Sequence, residues 1–235
     1  PCQPLPAGPA ATVAKGGVTS FATMGDARAD VVAPSLVGIT MDLPYAVSGV
    51  SGRNYHGTGV VVDAQRGLVV TDRNTVPIPL GDVRLTFGGT VEIPGRVEYV
   101  HPLHNLAFIS YDPHLIDGTP VRAAKFLDEE LRPGDDVWVV GLRSDQRLSS
   151  VQTRVASIDP SQFGTSMTSE FRDANVDLVS VINSPGYDGV LVDRSGTVRA
   201  LWASFAFDNG RQVSQGNYGI PAGVVTDATQ VVRAG

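Results

Sequence analysis

The sequence contains a single cysteine, Cys2, so the chain forms no intrachain disulfide and its fold cannot depend on one. Charged residues make up only 18% of the 235 residues, and the net charge is −6. The sequence contains no run of lysine and arginine. This composition lacks the basic surface of a protein that binds nucleic acid or an anionic membrane. No apolar run reaches the length of a transmembrane helix, so we predict no membrane insertion in this segment. Protein or peptide partners are expected instead.

Short strands and tight turns are what the sequence has in abundance. The 26 glycines and 16 prolines separate short valine-rich runs, and 42% of the residues are hydrophobic, which is enough for substantial apolar cores. Amphipathic patterns of 10 to 15 residues, which parallel βαβ units require, are missing apart from a short candidate helix at residues 223–233. The pattern therefore predicts an all-β protein of two six-stranded antiparallel β-barrels with a short C-terminal helix.

The domain boundaries follow from breaks in this pattern. Residues 1–30 are rich in proline, alanine, glycine and threonine without sustained periodicity, which indicates a linker or an N-terminal arm. About six strands can be counted before the breaker Asp-Gly-Thr-Pro at residues 117–120, and about six more after it. We therefore predict an N-terminal barrel over residues 31–118 and a C-terminal barrel, with its helix, over residues 119–235.

Five segments carry a family resemblance when they are taken in order. Residues 57–62 read GTGVVV and lead to TDRNTV at 71–76; NLAFI follows at 105–109, LRPGDDVWVVG at 131–141 and PGYDGVL at 185–191. In this order and spacing they resemble the HtrA/DegP family of trypsin-like serine proteases. The resemblance covers residues 34 to 228 and implies the chymotrypsin/trypsin-like fold of two barrels.

The same resemblance implies where the catalytic residues of the family would lie. The family's histidine sits in a segment like TNNHV, where this chain has Asn74, and its aspartate opens a strand like DLAxL, where this chain has Asn105. The serine motif PGNSGGPL matches a segment that is one residue shorter here. The serine position is therefore Asp188 when counted from the left and Tyr187 when counted from the right.

These replacements remove the chemistry of acyl transfer. An asparagine amide does not accept a proton near neutral pH as an imidazole does, and neither aspartate nor tyrosine replaces the serine hydroxyl in this reaction. The shortened turn also disturbs the two backbone N–H groups that would stabilise an oxyanion, and a carboxylate at Asp188 would repel one. We therefore predict no catalytic residues and interpret the chain as an inactive serine protease homologue, a pseudoprotease with a scaffolding, regulatory or peptide-binding role.

Two alternatives to this interpretation stay open. One is an active serine endopeptidase that uses displaced residues, with Ser184 as nucleophile and His104 as base; the other is an independent peptide-binding module that adds a partner strand. Asp188 is either a turn residue bonded to its local backbone or the partner of a basic group. His101 and His104 have the spacing of a metal pair, but no further ligand completes a tetrahedral site, so we predict neither metal nor cofactor.

Partners and compartment follow only from resemblance. The phrases at residues 43–45, 68–77, 101–103, 111–113 and 189–202 are similar to the second, degenerate protease-like repeat of fungal nuclear pro-apoptotic HtrA-like proteins. That likeness implies an active protease domain and PDZ domains in the same longer chain, and it leaves the oligomeric state unknown. The localisation is equally unknown; the alanine, glycine and valine usage looks more bacterial than fungal, and for a bacterial protein the periplasm or cell envelope would be expected.

Overall fold

The structure is a computed structural model, and it describes residues 16–47, 50, 52–160, 176–208 and 213–234. Within these residues, twelve strands close into two six-stranded antiparallel barrels, which confirms the predicted fold class. Residues 1–15, half of the predicted N-terminal arm, lie outside the described part. Two helices and two short 3-10 turns complete the fold.

The N-terminal barrel has the strand order β1-β2-β3-β6-β5-β4. Its strands are β1 (Leu36–Asp42), β2 (Asn54–Asp63), β3 (Leu68–Thr71), β4 (Asp82–Phe87), β5 (Val91–Val100) and β6 (Ala107–Ser110). The alternation of Val83, Leu85 and Phe87 in β4 places these three side chains in the barrel interior, since successive residues of a strand face opposite sides. β4 and β5 form an antiparallel hairpin.

The C-terminal barrel repeats the arrangement with the order β10-β11-β12-β9-β8-β7. Its strands are β7 (Asp136–Leu142), β8 (Leu148–Pro160), β9 (Asp177–Val181), β10 (Gly189–Val192), β11 (Val198–Asp208) and β12 (Val213–Pro221). Helix α2 (Ala222–Ala234) follows β12 directly and buries Val225 and Ala228. Arg233 at its end donates to the Val62 carbonyl oxygen at 2.8 Å, which ties the helix to the N-terminal barrel.

Three apolar clusters hold the molecule together. One fills the N-terminal barrel, another fills the C-terminal barrel around Trp202, and a larger one lies between the barrels. The cluster between the barrels joins side chains such as Val60 and Phe108 of the first barrel to Val140 and Phe205 of the second. Because apolar burial is the dominant stabilising contribution in folding, this shared core fixes the two barrels against each other.

The segment before the first strand packs on both barrels. The backbone N–H of Thr19 donates to Thr119 Oγ1 at 3.1 Å, and Phe21 packs against the core of the N-terminal barrel. Asp26 caps helix α1 (Ala27–Val32) and accepts a hydrogen bond from Ser150 Oγ of the C-terminal barrel at 2.9 Å. The 3-10 turn Ala33–Ser35 then leads into β1, and a second such turn, Pro113–Ile116, follows β6.

In the described part of the chain, no helix has both the length and the apolar character that crossing a membrane needs.

Candidate functional site

The sequence-predicted positions lie where strands end at the junction of the two barrels. Asn74 follows β3, Asn105 precedes β6, and Asp188 precedes β10. The first two side chains reach across the junction to one residue of the C-terminal barrel, Ser204 on β11. A fourth residue, Asp72, joins them there. We call Asp72, Asn74, Asn105 and Ser204 the Ser204 cluster.

Asp72 is a buried carboxylate bonded to Ser204. Its Oδ2 accepts hydrogen bonds from Ser204 N at 2.9 Å and from Ser204 Oγ at 3.2 Å, and its Oδ1 accepts one from Thr75 N at 2.8 Å. The side chain is 2% exposed. Burial raises the pKa of Asp72, and the hydrogen bonds from Ser204 and Thr75 oppose that increase because they stabilise the charged form.

Asn105 uses both ends of its amide. Its Oδ1 accepts from the backbone N–H of Arg73 at 2.9 Å, and its Nδ2 donates to the Ser204 carbonyl oxygen at 2.8 Å. Asn105 is fully buried, so both groups would be left without water if the amide were lost. Asn74 Nδ2 makes a longer contact of 3.4 Å with Ser204 Oγ.

All the polar groups of Ser204 are therefore bonded by side chains of the N-terminal barrel. The backbone N–H and the hydroxyl bind Asp72, the carbonyl oxygen accepts from Asn105, and the hydroxyl also contacts Asn74. Neither Asp72 nor Ser204 was identified from the sequence. The available signal was the acidic residue that directly follows the fully buried strand β3, where an unpaired carboxylate would be costly.

The side chain of Asp188 lies beside the Ser204 cluster, whereas that of Tyr187 points to the core of the C-terminal barrel; the Tyr187 carbonyl oxygen also contacts Asn217 Nδ2, at 3.4 Å. Asn217 Nδ2 donates to Asp188 Oδ1 at 2.8 Å, and Asn217 sits directly opposite Ser204 on β12. Burial, and next the negative charge of Asp72, raise the pKa of Asp188 to about 8, while the hydrogen bond from Asn217 lowers it. Tyr187 instead donates its hydroxyl to the Val139 carbonyl oxygen at 3.0 Å and packs against the core of the C-terminal barrel.

The residues of the displaced-site hypothesis have other surroundings. His104 stacks on His101 with ring centroids 4.4 Å apart, and His101 Nδ1 accepts from the backbone N–H groups of Leu103 and His104. Burial, with the charges of His104 and Arg73, lowers the pKa of His101 to about 4. Ser184 is exposed in the turn between β9 and β10. Among the residues that the structure describes, no three histidine, cysteine or acidic side chains form a group that could hold a metal ion.

The chemistry available at the cluster is limited. The Ser204 hydroxyl has a carboxylate within 3.2 Å, as an activated nucleophile would. However, Oδ2 of the same carboxylate also accepts from Ser204 N and Oδ1 accepts from Thr75 N, so its oxygens are engaged in backbone hydrogen bonds even though burial raises its pKa. The cluster therefore has the contacts of a link between two barrels.

Comparison with known proteins places these observations in context. A model of the trypsin-like peptidase domain matches residues 57–201. The chain is 32% identical over 245 aligned residues to a PDZ domain-containing protein of Schizosaccharomyces pombe, covering 99% of this chain and 24% of that protein. It is 37% identical over 175 residues to the pro-apoptotic serine protease NMA111 of Pyricularia oryzae, covering 73% of this chain and 17% of that one. Protease Do-like 7 of Arabidopsis thaliana is 33% identical, with coverages of 81% and 18%.

The solved structures agree on the fold. The inactive form of the Rv3671c protease of M. tuberculosis superimposes with a TM-score of 0.64 at 17% identity, covering 92% of this chain and 98% of that one. The HtrA-type protease AlgW with a tripeptide gives a TM-score of 0.65 at 16% identity, covering 88% and 62%. The chain thus spans about a fifth of the length of its curated relatives and most of a single protease domain.

Proposed function

Because the chain belongs to the trypsin-like peptidase domain family and has HtrA-type relatives, we propose that it is a pseudoprotease, a domain that keeps the fold and lacks the hydrolysis. The observation that carries this proposal is the bonding of Asn105. Its Nδ2 donates to Ser204 O, a contact that an aspartate at this position could not make. The family resemblance implies that this position would orient a catalytic histidine. In this chain, its amide instead bonds to the backbone of both barrels.

Asn74 and Asp188 support the same proposal. Asn74 has no group that takes a proton near neutral pH, and it contacts the Ser204 hydroxyl at 3.4 Å. Asp188 is held by Asn217 and has its pKa raised to about 8, so at neutral pH it is mostly a protonated acid. A base, an orienting carboxylate and a serine nucleophile in the family's order are thus replaced by two amides and a carboxylic acid.

Peptide hydrolysis tests this proposal directly. We expect the purified chain to cleave casein and a fluorogenic peptide library at the rate of buffer, with an active HtrA-type protease as positive control. The variants Ser184→Ala and Ser204→Ala serve as matched comparisons, because these two hydroxyls are the candidate nucleophiles of the displaced-site hypothesis. Cleavage that disappears in either variant would establish an active endopeptidase and overturn the proposal.

The role that replaces hydrolysis is proposed to be the binding of a protein or peptide segment, within a longer chain that also carries an active protease domain and PDZ domains. The support is the length of the relatives, one of which is a PDZ domain-containing protein. A peptide array probed with the labelled chain is expected to give saturable binding to a subset of extended peptides. The absence of any saturable ligand would contradict the binding role while leaving the inactivity untouched.

A further inference from the structure

Two carboxyl groups from different parts of the fold are held on neighbouring residues of one sheet. Ser204 of β11 and Asn217 of β12 are directly opposite, so their side chains leave the same face with Cβ atoms about 5 Å apart. Ser204 bonds Asp72, which belongs to the N-terminal barrel, and Asn217 bonds Asp188, which precedes β10 of the C-terminal barrel. We call Asp72 and Asp188 the carboxyl pair.

The pair has unequal hydrogen bonding. Asp72 accepts three hydrogen bonds, from Ser204 N, Ser204 Oγ and Thr75 N, and these stabilise its charge. Asp188 accepts one, from the neutral amide of Asn217. Two like charges in a poorly solvated place repel each other, so one proton is retained by the pair, and the less strongly bonded carboxyl is the one that carries it. Burial raises the pKa of both carboxyl groups, and the charge of Asp72 raises that of Asp188 further, so the unequal hydrogen bonding is what assigns the proton to Asp188.

Other ionisable groups face this region from several elements. Arg73 follows Asp72, and its guanidinium donates to the His101 carbonyl oxygen at 3.2 Å. His101 and His104 lie in the turn between β5 and β6, and burial holds the pKa of His101 at about 4. Tyr187 precedes Asp188; burial raises the pKa of Tyr187, and the hydrogen bond with Ser149 and the charge of Arg143 only partly offset this increase. For His101 and Tyr187 these directions keep titration away from the pH range around 8.

We propose that Asp72 and Asp188 share a single proton across the barrel junction at neutral pH, and that loss of this proton moves the Asp188 carboxylate away from Asp72. Asp72 is fixed by its three bonds, so repulsion between two carboxylates would displace the Asp188 side chain. The backbone of the turn stays anchored, because Tyr187 Oη donates to the Val139 carbonyl oxygen and the Asp188 carbonyl oxygen packs closely on Gly141, so the movement is confined to this side chain. The junction thus holds one negative charge at neutral pH and two in mildly alkaline solution.

Trp202 offers a natural reporter for the ionisation of Asp188, because it pairs with Gly189, the residue that follows Asp188. Its indole Nε1 contacts the Pro185 carbonyl oxygen at 3.4 Å, and Pro185 belongs to the same turn as Asp188. The other tryptophan, Trp138, packs under the guanidinium of Arg28, whose Cζ lies 4.1 Å from the centroid of the Trp138 ring. A Trp138→Phe background therefore isolates the fluorescence of Trp202.

The test is a titration of Trp202 fluorescence from pH 6 to 9.5, paired with carbon-13 NMR of the aspartate side-chain carboxyl groups. We expect a fluorescence transition and one carboxyl resonance with a common midpoint near pH 8. Asp188→Asn should abolish both, and Asp72→Asn should move the midpoint down by about one unit, because a like charge is removed. Asp177→Asn, an exposed carboxyl at the start of β9, is the control and should change nothing.

Two results would overturn the proposal. The first is a carboxyl spectrum in which every aspartate titrates below pH 6, which would mean that the pair retains no proton. The second is a fluorescence transition that persists unchanged in Asp188→Asn, which would assign the movement to another group. The NMR measurement on the unsubstituted chain decides the first point even if a substitution at Asp72 prevents folding.

Discussion

Asn105 links the two barrels through a single side chain, at the position where the family resemblance implies an aspartate. Its amide accepts from Arg73 N and donates to Ser204 O, so one side chain satisfies a backbone donor of the first barrel and a backbone acceptor of the second. Both groups are buried, and an unsatisfied buried polar group costs about 1 to 3 kcal/mol. Asparagine is suited to this place because it carries an acceptor and a donor on the same group.

Substituting Asn105→Asp, the residue that the family has, should therefore destabilise the chain. The carboxylate would still accept from Arg73 N, but Ser204 O would lose its donor and a second charge would lie close to Asp72. We expect the free energy of unfolding in urea to fall by about 1 to 3 kcal/mol. Gln215→Glu, which adds the same charge at an exposed place on β12, should leave it within about 0.5 kcal/mol. Equal losses in the two variants would contradict this account of Asn105.

Substituting Asn74→His should not produce hydrolysis. An imidazole at this position would meet the Ser204 hydroxyl, which already donates to Asp72, but neither an orienting carboxylate at Asn105 nor a serine at Asp188. A triad with a missing member keeps only the residual acceleration of its surroundings. The rate of cleavage of a fluorogenic peptide library is expected to stay at the level of buffer. A rate that rises in Asn74→His above the unsubstituted chain would show that the remaining groups are competent.

At the scale of elements, β7 and β10 pack unusually closely at the residue that follows Asp188. The two strands pair Gly141 with Gly189, and a Cβ at Gly141 would lie 2.0 Å from the Asp188 carbonyl oxygen. Backbone cannot yield as a flexible side chain can, so this position has no room for a methyl group. The close approach fixes Asp188 beside Asn217, and it makes the two strands part of the site.

The variant Gly141→Ala should accordingly be costly, with a loss of about 3 kcal/mol in the free energy of unfolding. The matched control is Gly186→Ala in the turn before β10, where a Cβ would meet nothing within 4 Å and the loss should stay below about 1 kcal/mol. Thermal or urea unfolding compares the two. A Gly141→Ala protein as stable as the Gly186→Ala protein would show that the strands separate easily.

Patterns over a few neighbouring residues predicted the strands and the helix. The contacts of the site join residues that are far apart in the sequence and could not be predicted in this way. The alternation of apolar residues in β4 and the C-terminal helix follow from periods that are visible in the sequence. Asp72 and Ser204 are 132 positions apart, and their contact exists only because both barrels are closed. The packing of Thr19, Phe21 and Asp26 on the two barrels could not be predicted either. A proline- and glycine-rich composition is typical of linkers, and it does not show whether such a segment packs on a folded domain.

For the whole molecule, the raised pKa of Asp188 links stability to pH. An unfolded aspartate has a pKa of about 3.9, and the folded value for Asp188 is about 8. The folded state therefore binds this proton more tightly than the unfolded state. The stability from this group is fully present below about pH 4, declines by at most about 1.4 kcal/mol per pH unit as pH rises toward 8, and then levels off.

Asp188→Asn should remove this decline because its amide does not ionise. The difference in free energy of unfolding between Asp188→Asn and the unsubstituted chain is expected to move in favour of the variant by at least about 1 kcal/mol between pH 5 and pH 8. Urea unfolding at a series of pH values measures it, with Asp177→Asn as the exposed control. A difference that stays constant over this range would place the pKa of Asp188 near its unfolded value.

The central claim is that the family's catalytic positions in this chain link two barrels and do not hydrolyse peptides. Fluorophosphonate labelling followed by intact mass measurement tests it most directly, with an active HtrA-type protease labelled in parallel. The account predicts that the control gains one phosphonyl group and that this chain gains none at the same concentration and time. Stoichiometric labelling of this chain at Ser184, Ser204 or any other serine would contradict it.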